Sequence, residues 1–353
     1  MFIYYIFAII VMFLLLMSYY LFKNNKLNVV DILVLFIVIT FAGIRYYTGT
    51  DYGNYYKLFN YSYLDFSNLS IFNLISPDEI GLILVCRFFK YFFPNNQFIM
   101  FWVTSGLICV PLYIFIKRRS KKFVISFLCF ILLGHYTMSF NIIKQYIAAT
   151  FVFIAFNKFF ENKKKSAFFY ILLGTTFHYS SILYIPLLFI AKKIKANVSV
   201  FLLSIFSGFF INNVVSFILI NFSFSTYKIY MNARGSRIGM ALMSIIWILF
   251  GILLLIKKDS LLQLNSINNL YLNMFFISLI FNIGAISNIY LARLTIPLQY
   301  SLFFLIPDYI ESIRTKFKKI LYLLVVILLY IWYGFYISNY GGVIPYNTYL
   351  NII

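Results

Sequence analysis

Long apolar runs alternate with short polar connections along the whole chain. Most runs contain about 17 to 25 residues, which is the length that a helix needs to cross a hydrocarbon core of roughly 30 Å. They begin near residues 2, 27, 98, 123, 142, 198, 239, 268, 290 and 320. The pattern predicts an all-α polytopic integral membrane protein with about 10 to 12 transmembrane helices, which form a single domain over residues 1–353.

Two segments depart from this pattern. The stretch "EIGLILVCRFFKYFF" is short and carries Arg87 and Lys90, so we expect an interfacial helix near residues 79–93. The run from Ala167 to Ile190 has lysine clusters at both ends and "GTTFHYSS" in its middle. A broken helix or re-entrant hairpin around His178 would keep both clusters on one side of the membrane. A single tilted helix is the alternative.

The charge distribution orients these segments. The chain has 29 Lys and Arg against 9 Asp and Glu, a net charge of +20. In a soluble protein this charge would suggest nucleic acid, but 63% of the residues are hydrophobic and the mean hydropathy is +0.91. The basic residues cluster between apolar runs, which indicates cytoplasmic connections and no nucleic-acid partner. With the N-terminus outside, loops 45–78 and 221–238 lie outside and are expected to carry the functional residues.

The first outer loop opens with "GIRYYTGTDYGNYY". Its arginine, Arg45, directly ends an apolar run. Asp51 fits an Asx-turn, or a carboxylate beside Arg45 that serves as a general base or orients a sugar hydroxyl. The tyrosines fit an aromatic belt at the membrane surface, or rings that stack on sugars. In the second interpretation Thr50, Tyr52 and Tyr55 bind the substrate.

Several further cations stand where carboxylate partners are scarce. Lys144 and Arg293 lie within or beside apolar stretches, and ionisable groups at such depth often mark a substrate path. Snorkelling to lipid headgroups would also explain each of them. Gln145 adds an amide to the helical face of Lys144. In "NARGSR", Arg234 and Arg237 are spaced to clamp a phosphate on a helix. Together with Arg45, these residues favour a phosphate or diphosphate ligand.

One of the two histidines, His178, lies in the polar interruption described above. A neutral imidazole there would accept a proton from a hydroxyl, and a packing role is the alternative. The chain has no P-loop, G-x-S-x-G, H-E-x-x-H or acidic D-x-D motif. Nucleotide hydrolysis, serine hydrolysis, zinc chemistry and metal-bound nucleotide sugars therefore lack support. We expect no metal and no cofactor.

Three stretches resemble the EpsG family of Wzy-type polysaccharide polymerases. The first is "GIRYYTGTDYGNYY", the second runs from "NIIKQY" through "GTTFHYSS" to "PLLFI", and the third, which is weaker, is "IYLARLTIPLQY". The family usually has arginine where this chain has Lys144. At that position a single cationic contact would therefore replace a bidentate one.

The resemblance implies a metal-independent glycosyltransferase. It would join polyprenyl-diphosphate-linked oligosaccharide repeat units on the outer or periplasmic face of the bacterial cytoplasmic membrane, to make O-antigen, capsule or exopolysaccharide. The cations named above would offset charge on the departing diphosphate, and His178 or Asp51 would take the proton of the acceptor hydroxyl. Expected partners are the lipid-linked oligosaccharide, membrane lipid, a flippase and a chain-length regulator.

Three other functions use similar residues. An O-antigen-ligase-type transferase takes the same donor to a different acceptor. A transporter or flippase for lipid-linked oligosaccharide would bind the same diphosphate without reacting, and a membrane acyltransferase acting on polysaccharide would also need a membrane histidine. Product analysis separates them, because only a polymerase lengthens the glycan by whole repeat units.

Overall fold

The computed structural model describes residues 1–22, 26–61, 80–221, 237–313, 316 and 318–351. These residues form 17 α-helices, with no β-strand among them. The helices are α1 (Phe2–Leu21), α2 (Val29–Gly43), α3 (Tyr52–Tyr61), α4 (Ile80–Phe92), α5 (Ile99–Arg119), α6 (Phe123–Leu132), α7 (His135–Met138), α8 (Ile143–Phe160), α9 (Lys164–Phe177), α10 (Tyr184–Lys193), α11 (Val198–Asn221), α12 (Arg237–Ile256), α13 (Lys258–Leu264), α14 (Asn268–Gly284), α15 (Ile296–Gln299), α16 (Leu302–Ser312) and α17 (Lys318–Asn339). The predicted all-α class is confirmed.

Five of these helices, α1, α5, α11, α12 and α17, are long and apolar enough to cross a membrane. A sixth candidate is a bent pair, Ile289–Gln299 followed by α16, whose two parts meet at 59°. Helices α2 and α6 are apolar but shorter. The protein is therefore a polytopic helical membrane protein, as predicted. The crossing expected near residue 290 is a broken segment rather than one straight helix.

The chain also breaks where the Gly, Thr and Ser residues interrupt the run around His178. Helix α9 ends at Phe177, a 3₁₀ turn spans Tyr179–Leu183, and α10 begins at Tyr184. The broken helix is thus confirmed, whereas the choice between a hairpin and a single crossing stays a prediction. Helix α4 forms where the interfacial helix was expected, and its position at the membrane surface also stays a prediction.

The chain folds into two compact units. The first contains Met1–Ala155, Lys165–Ile182 and Lys319–Ile353, and the second contains Phe156–Lys164 and Leu183–Lys318. Each unit has its own packed core, and the prediction of a single membrane domain stays a prediction. Of the two expected outer loops, 45–78 is described up to residue 61, and residues 222–236 lie outside the described residues.

In the first unit, α2 and α5 pack antiparallel. At one end, a capping box between Asn28 and Asp31 starts α2, and Asp31 pairs with Lys117 in the last turn of α5 at 3.0 Å. At the other end, a Cβ atom on Gly43 would lie 2.6 Å from the Trp102 ring, so α2 and α5 come into close contact there. The basic "KRRSKK" connection and the loop after α2 are therefore at opposite ends of this unit.

In the second unit, the buried helix α14 is flanked by α11 and α12. Glycines on facing helices let two backbones approach closely: a Cβ on Gly208 would lie 2.7 Å from Ile283, and one on Gly284 would lie 2.3 Å from Ile211. Small residues at helix interfaces are a common packing device in membranes. The amide of Asn273 donates to the carbonyl oxygens of Ala191 and Ile194, which ties the end of α10 to α14.

Candidate active site

The loop after α2, residues 44–51, is paired with the segment 341–349 near the end of the chain. An isolated antiparallel bridge joins Arg45 to Thr348. Backbone hydrogen bonds of 2.8 to 3.2 Å link Tyr349 N to Ile44 O, Tyr46 N to Asn347 O, Gly49 N to Gly342 O, and Thr50 N to Gly341 O. This loop is thus held by the distant segment along its length rather than by local turns alone.

Asn141, in the turn just before α8, holds the loop and the segment together. Its Oδ1 accepts hydrogen bonds from Thr50 Oγ1 and Asp51 N at 3.3 and 3.4 Å, and its Nδ2 donates to Gly341 O at 2.8 Å. Gly49 and Gly341 both have positive φ, and a Cβ atom on either would lie within 2.5 Å of the Asn141 amide. Only glycine therefore leaves room for this amide between the two chains.

Arg45 is buried, with 2% of its surface exposed. Its Nη1 donates to Ala42 O at 2.5 Å and its Nη2 to Phe140 O at 3.3 Å. The guanidinium lies 4.5 Å from the Phe101 ring centroid and 4.6 Å from that of Phe140. Burial lowers the pKa of Arg45 to about 10, so the side chain stays cationic at neutral pH. In this conformation it contacts protein groups, and its contact with a diphosphate stays a prediction.

Asp51 precedes α3 and is half-buried. Its backbone carbonyl accepts from the N–H groups of Asn54 and Tyr55 at 3.1 and 3.2 Å, which starts the helix. The structure does not pair its carboxylate with Arg45, because the hydrogen bonds of Arg45 go to main-chain carbonyls. Asp51 therefore lies at the same loop as Arg45 without neutralising it. Its role as a general base stays a prediction.

The tyrosines of the loop divide into buried and exposed rings. Tyr52 and Tyr55, which we expected to contact sugars, are buried, and Tyr52 stacks on Phe101 with ring centroids 4.5 Å apart. Tyr47 is 57% exposed, and Tyr46 is half-buried. Burial of Tyr52 and Tyr55 gives them packing contacts here, so the rings available for a ligand are those of Tyr46, Tyr47 and Tyr56. Thr50 is exposed beside them.

His178 lies next to the first turn of α8. Nε2 of Gln145 is 2.8 Å from Nε2 of His178, and both side chains are half-buried. Helices α8 and α9 come together because Gly174 has no side chain: a Cβ there would lie 3.2 Å from Ala148 O and 3.3 Å from Ser181 Oγ. Lys144, also half-buried, directly precedes Gln145. Gln145, which contacts His178, follows Asn141 by four residues, so the junction and the histidine are linked through the start of α8.

Arg237 and Arg293, two of the arginines predicted to bind phosphate, belong to the second unit. Arg293 is exposed on the 3₁₀ segment Ile289–Thr295, with its guanidinium 4.8 Å from the Tyr290 ring centroid. Arg237 is exposed as the first residue of α12, and Arg234 lies outside the described residues. The phosphate clamp of Arg234 and Arg237, and the diphosphate contact of Arg293, stay predictions. Among the described residues no three His, Cys, Asp or Glu side chains converge.

Two parts of this arrangement were not predicted from the sequence: the joining role of Asn141 and the pairing of segment 341–349 with the loop. The Gly341–Gly342 pair, in which both residues have positive φ, was an available signal of a tight backbone approach. The glycine pair did not indicate that loop 44–51 is the segment that comes close to it.

Together these features define a multi-pass helical membrane protein whose first unit gathers a buried arginine, a lysine and a histidine–amide pair at one end. The model of the EpsG family matches residues 28–348, which is nearly the whole chain. The chain belongs to the EpsG family. That family is associated with Wzy-type polymerases, and membership supports a polymerase-type role in polysaccharide biosynthesis. The searches of curated proteins and of solved structures gave no match.

Proposed function

We propose that the protein joins polyprenyl-diphosphate-linked oligosaccharide repeat units into a polymer on the outer face of the cytoplasmic membrane. The observation that carries the proposal is the group of residues at one end of the first unit: Arg45, Lys144, Gln145, His178 and Asp51. The basic end of α5 lies at the opposite end of this unit. Because basic connections favour the cytoplasmic side, the proposed site faces outside.

The reaction is a direct displacement at the anomeric carbon of the donor. A hydroxyl oxygen of the acceptor sugar forms the new glycosidic bond, and the bond between the anomeric carbon and the diphosphate oxygen breaks. The diphosphate leaves with the electron pair, and the acceptor proton passes to a protein base. The expected rate enhancement comes mainly from cations placed where negative charge develops.

We assign different parts to the two cations of this unit. Lys144 is half-buried at the start of α8 and supplies a direct contact to the diphosphate. Arg45 is buried in the loop, so it contributes a fixed positive potential in surroundings of low dielectric constant, where charges interact strongly. It also positions the loop through its bonds to the carbonyl oxygens of Ala42 and Phe140.

We favour His178 as the base, because Gln145 holds its ring. A histidine that takes a proton needs one ring nitrogen with a lone pair and carries its hydrogen on the other. If Nε2 carries the hydrogen, the Gln145 oxygen accepts it and the lone pair is on Nδ1, which is buried in this conformation and has to be uncovered for the acceptor hydroxyl to reach it. The buried Oε1 of Gln145 makes no hydrogen bond with the described residues as placed. Turning the amide would give that oxygen a donor.

The test is polymer synthesis by the purified full-length protein in liposomes that contain only the native lipid-diphosphate-linked repeat unit. We expect a mass ladder spaced by one repeat unit, unaffected by a metal chelator. His178→Ala should abolish the ladder if His178 is the base, and Asp51→Asn should abolish it if Asp51 is the base. A Tyr91→Ala protein, changed at an exposed ring of α4, serves as the control.

Other products would assign other functions. Substrate that crosses the bilayer unchanged would identify a transporter, and transfer of the glycan to a different lipid without elongation would identify a ligase-type enzyme. Either result would overturn the polymerase proposal, provided that source membranes prepared in parallel elongate the same substrate.

A further inference from the structure

A shallow cavity of about 420 Å³, open to its surroundings, lies beside the loop in the first unit. It lies where α4 ends and α5 begins, and Tyr349 of segment 341–349 lines one side of it. The lining residues are Phe93, Pro94, Asn95, Asn96, Phe98 and Tyr349. Its volume falls within the range of roughly 300 to 1,000 Å³ that is usual for small-molecule sites.

Local bonds keep the walls of this cavity in place. Asn96 Oδ1 accepts from Phe98 N at 3.2 Å, and Asn96 N donates to Phe93 O at 3.1 Å. The rings of Phe98 and Tyr349 stack with centroids 3.9 Å apart. Tyr349 is fixed in turn by its backbone bond to Ile44 O. The cavity is therefore built onto the same loop that carries Arg45.

Aromatic rings continue from the cavity along the loop. The centroid of Phe98 lies 6.4 Å from that of Tyr46, and Tyr46 lies 4.8 Å from Tyr47, whose ring is mostly exposed. A ligand seated in the cavity would thus reach the loop along a row of aromatic rings. This row leads to the exposed Thr50 and to Asp51.

The chemistry of the lining identifies the class of ligand. Amide groups such as that of Asn95 both donate and accept hydrogen bonds, which matches the hydroxyl groups of a sugar. Ring faces are electron-rich and attract the weakly positive C–H faces of a sugar. None of the six lining residues is charged, so the cavity lacks the cations that a phosphate would need.

We propose that this cavity binds a sugar of the repeat unit that is not the one reacting. This inference rests on the proposed function, because it takes the oligosaccharide as the substrate. In this proposal two parts of the site bind two parts of the substrate. The cations contact its diphosphate end, and the cavity holds the glycan at a distance from the reacting bond.

The experiment uses the purified full-length protein in detergent and, as the probe, the lipid-free oligosaccharide of one repeat unit. Saturation-transfer NMR reports contact between sugar protons and aromatic rings, and a titration gives the Kd. We expect Tyr349→Ala to raise the Kd about tenfold, in keeping with the energy of one ring contact. Asn95→Ala should raise it by a smaller factor. Tyr91→Ala changes an exposed ring of α4 that does not line the cavity, and it should leave the Kd unchanged.

Asn95 is exposed and makes no hydrogen bond with the described residues, so its replacement should not disturb folding. Absence of binding to the wild-type protein, or equal Kd values in all four proteins, would overturn the inference. The two proposals can fail separately. Binding that depends on the cavity in a protein that makes no polymer would support the sugar site and reject the polymerase. Polymer made with an unchanged substrate KM in Asn95→Ala and Tyr349→Ala would reject the sugar site alone.

Discussion

The first unit buries two cations, one at each end, in contrasting surroundings. Lys117 is 1% exposed, and its ammonium contacts Asp31 Oδ1 at 3.0 Å and Ser18 Oγ at 2.7 Å. Tyr113 donates to the same carboxylate oxygen at 2.5 Å. Arg45 is 2% exposed, but its guanidinium contacts two carbonyl oxygens and two aromatic rings. No carboxylate of the described residues forms an ion pair with it.

This difference distinguishes a charge that is neutralised within the protein from one that is not. The charge of Lys117 is neutralised, because Asp31 and the hydrogen-bond partner Ser18 lie within the protein. The Arg45 end keeps a net positive charge in a buried site, which costs stability unless an anion arrives. Local strain, or another local loss of stability, is typical of functional sites. The comparison thus supports the proposal that the anionic diphosphate binds at the Arg45 end.

Removal of Lys117 should have the largest effect on stability. Lys117→Met leaves Asp31 buried without its cation, and breaking a buried pair in this way costs about 3 to 5 kcal/mol. We expect a lower midpoint of thermal unfolding in detergent, while the polymer made per folded molecule stays within about twofold of wild type. A normal unfolding midpoint would show that the pair is not structural.

Arg45→Met should lower the rate of polymer formation without lowering stability. Loss of the fixed charge should lower the rate of polymer formation about 100-fold, as for removal of one stabilising group from a transition state. The unfolding midpoint should stay equal or rise, because an unpaired buried charge is replaced by an apolar side chain of similar length. Initial rates from the mass ladder and thermal unfolding are measured on the same preparation. Full activity in this variant would remove Arg45 from the proposed mechanism.

Neutralising both Asp31 and Lys117 should restore part of the stability that Lys117→Met loses. In Asp31→Asn combined with Lys117→Met, no uncompensated charge remains buried, so the double variant should be more stable than Lys117→Met. The coupling energy between neighbours of this kind is about 0.5 to 3 kcal/mol. Unfolding of the double and both single variants completes the cycle. If the changes in the free energy of unfolding of the two single variants add up to that of the double variant, Asp31 and Lys117 do not stabilise each other.

Asn141→Ala should give the smallest of these effects. It removes the hydrogen bonds that join Thr50, Asp51 and Gly341, each contributing about 1 kcal/mol. We expect a roughly tenfold slower reaction with a modest loss of stability, because the loop loses its fixed position. Asn141→Asp keeps Oδ1 as an acceptor but loses the donor to Gly341 O, and it should fall between wild type and Asn141→Ala. If both variants match the wild-type rate, the junction does not position the site.

Much of the fold could be predicted because it depends on local patterns. The apolar runs indicated the helices, and the polar stretch around His178 indicated a break that the structure contains. The bend between Gln299 and Leu302 was not predicted, because the run is apolar on both sides of the break. The polar helical face containing Lys144 and Gln145 was recognised from helical spacing, although Asn141 lies in the turn before α8.

The candidate site was less predictable, because it is built from distant parts of the chain. Pairing of loop 44–51 with segment 341–349 joins residues about 300 positions apart, and such contacts leave no periodic signal. Burial of Tyr52 follows from packing on Phe101 of α5, which the sequence of the loop does not reveal. The position of Asp51 near Arg45 in sequence also suggested an ion pair that the structure does not form.

Pairing of the loop with segment 341–349 has a consequence for the order in which the protein is made. The ribosome completes the loop early, but its partner segment emerges only after the residues of α17, which end at Asn339. During synthesis the loop therefore lacks the hydrogen-bond partners that hold it in the finished protein. The site is therefore assembled only after α17 has been inserted into the membrane. An incompletely translated chain lacks the finished loop.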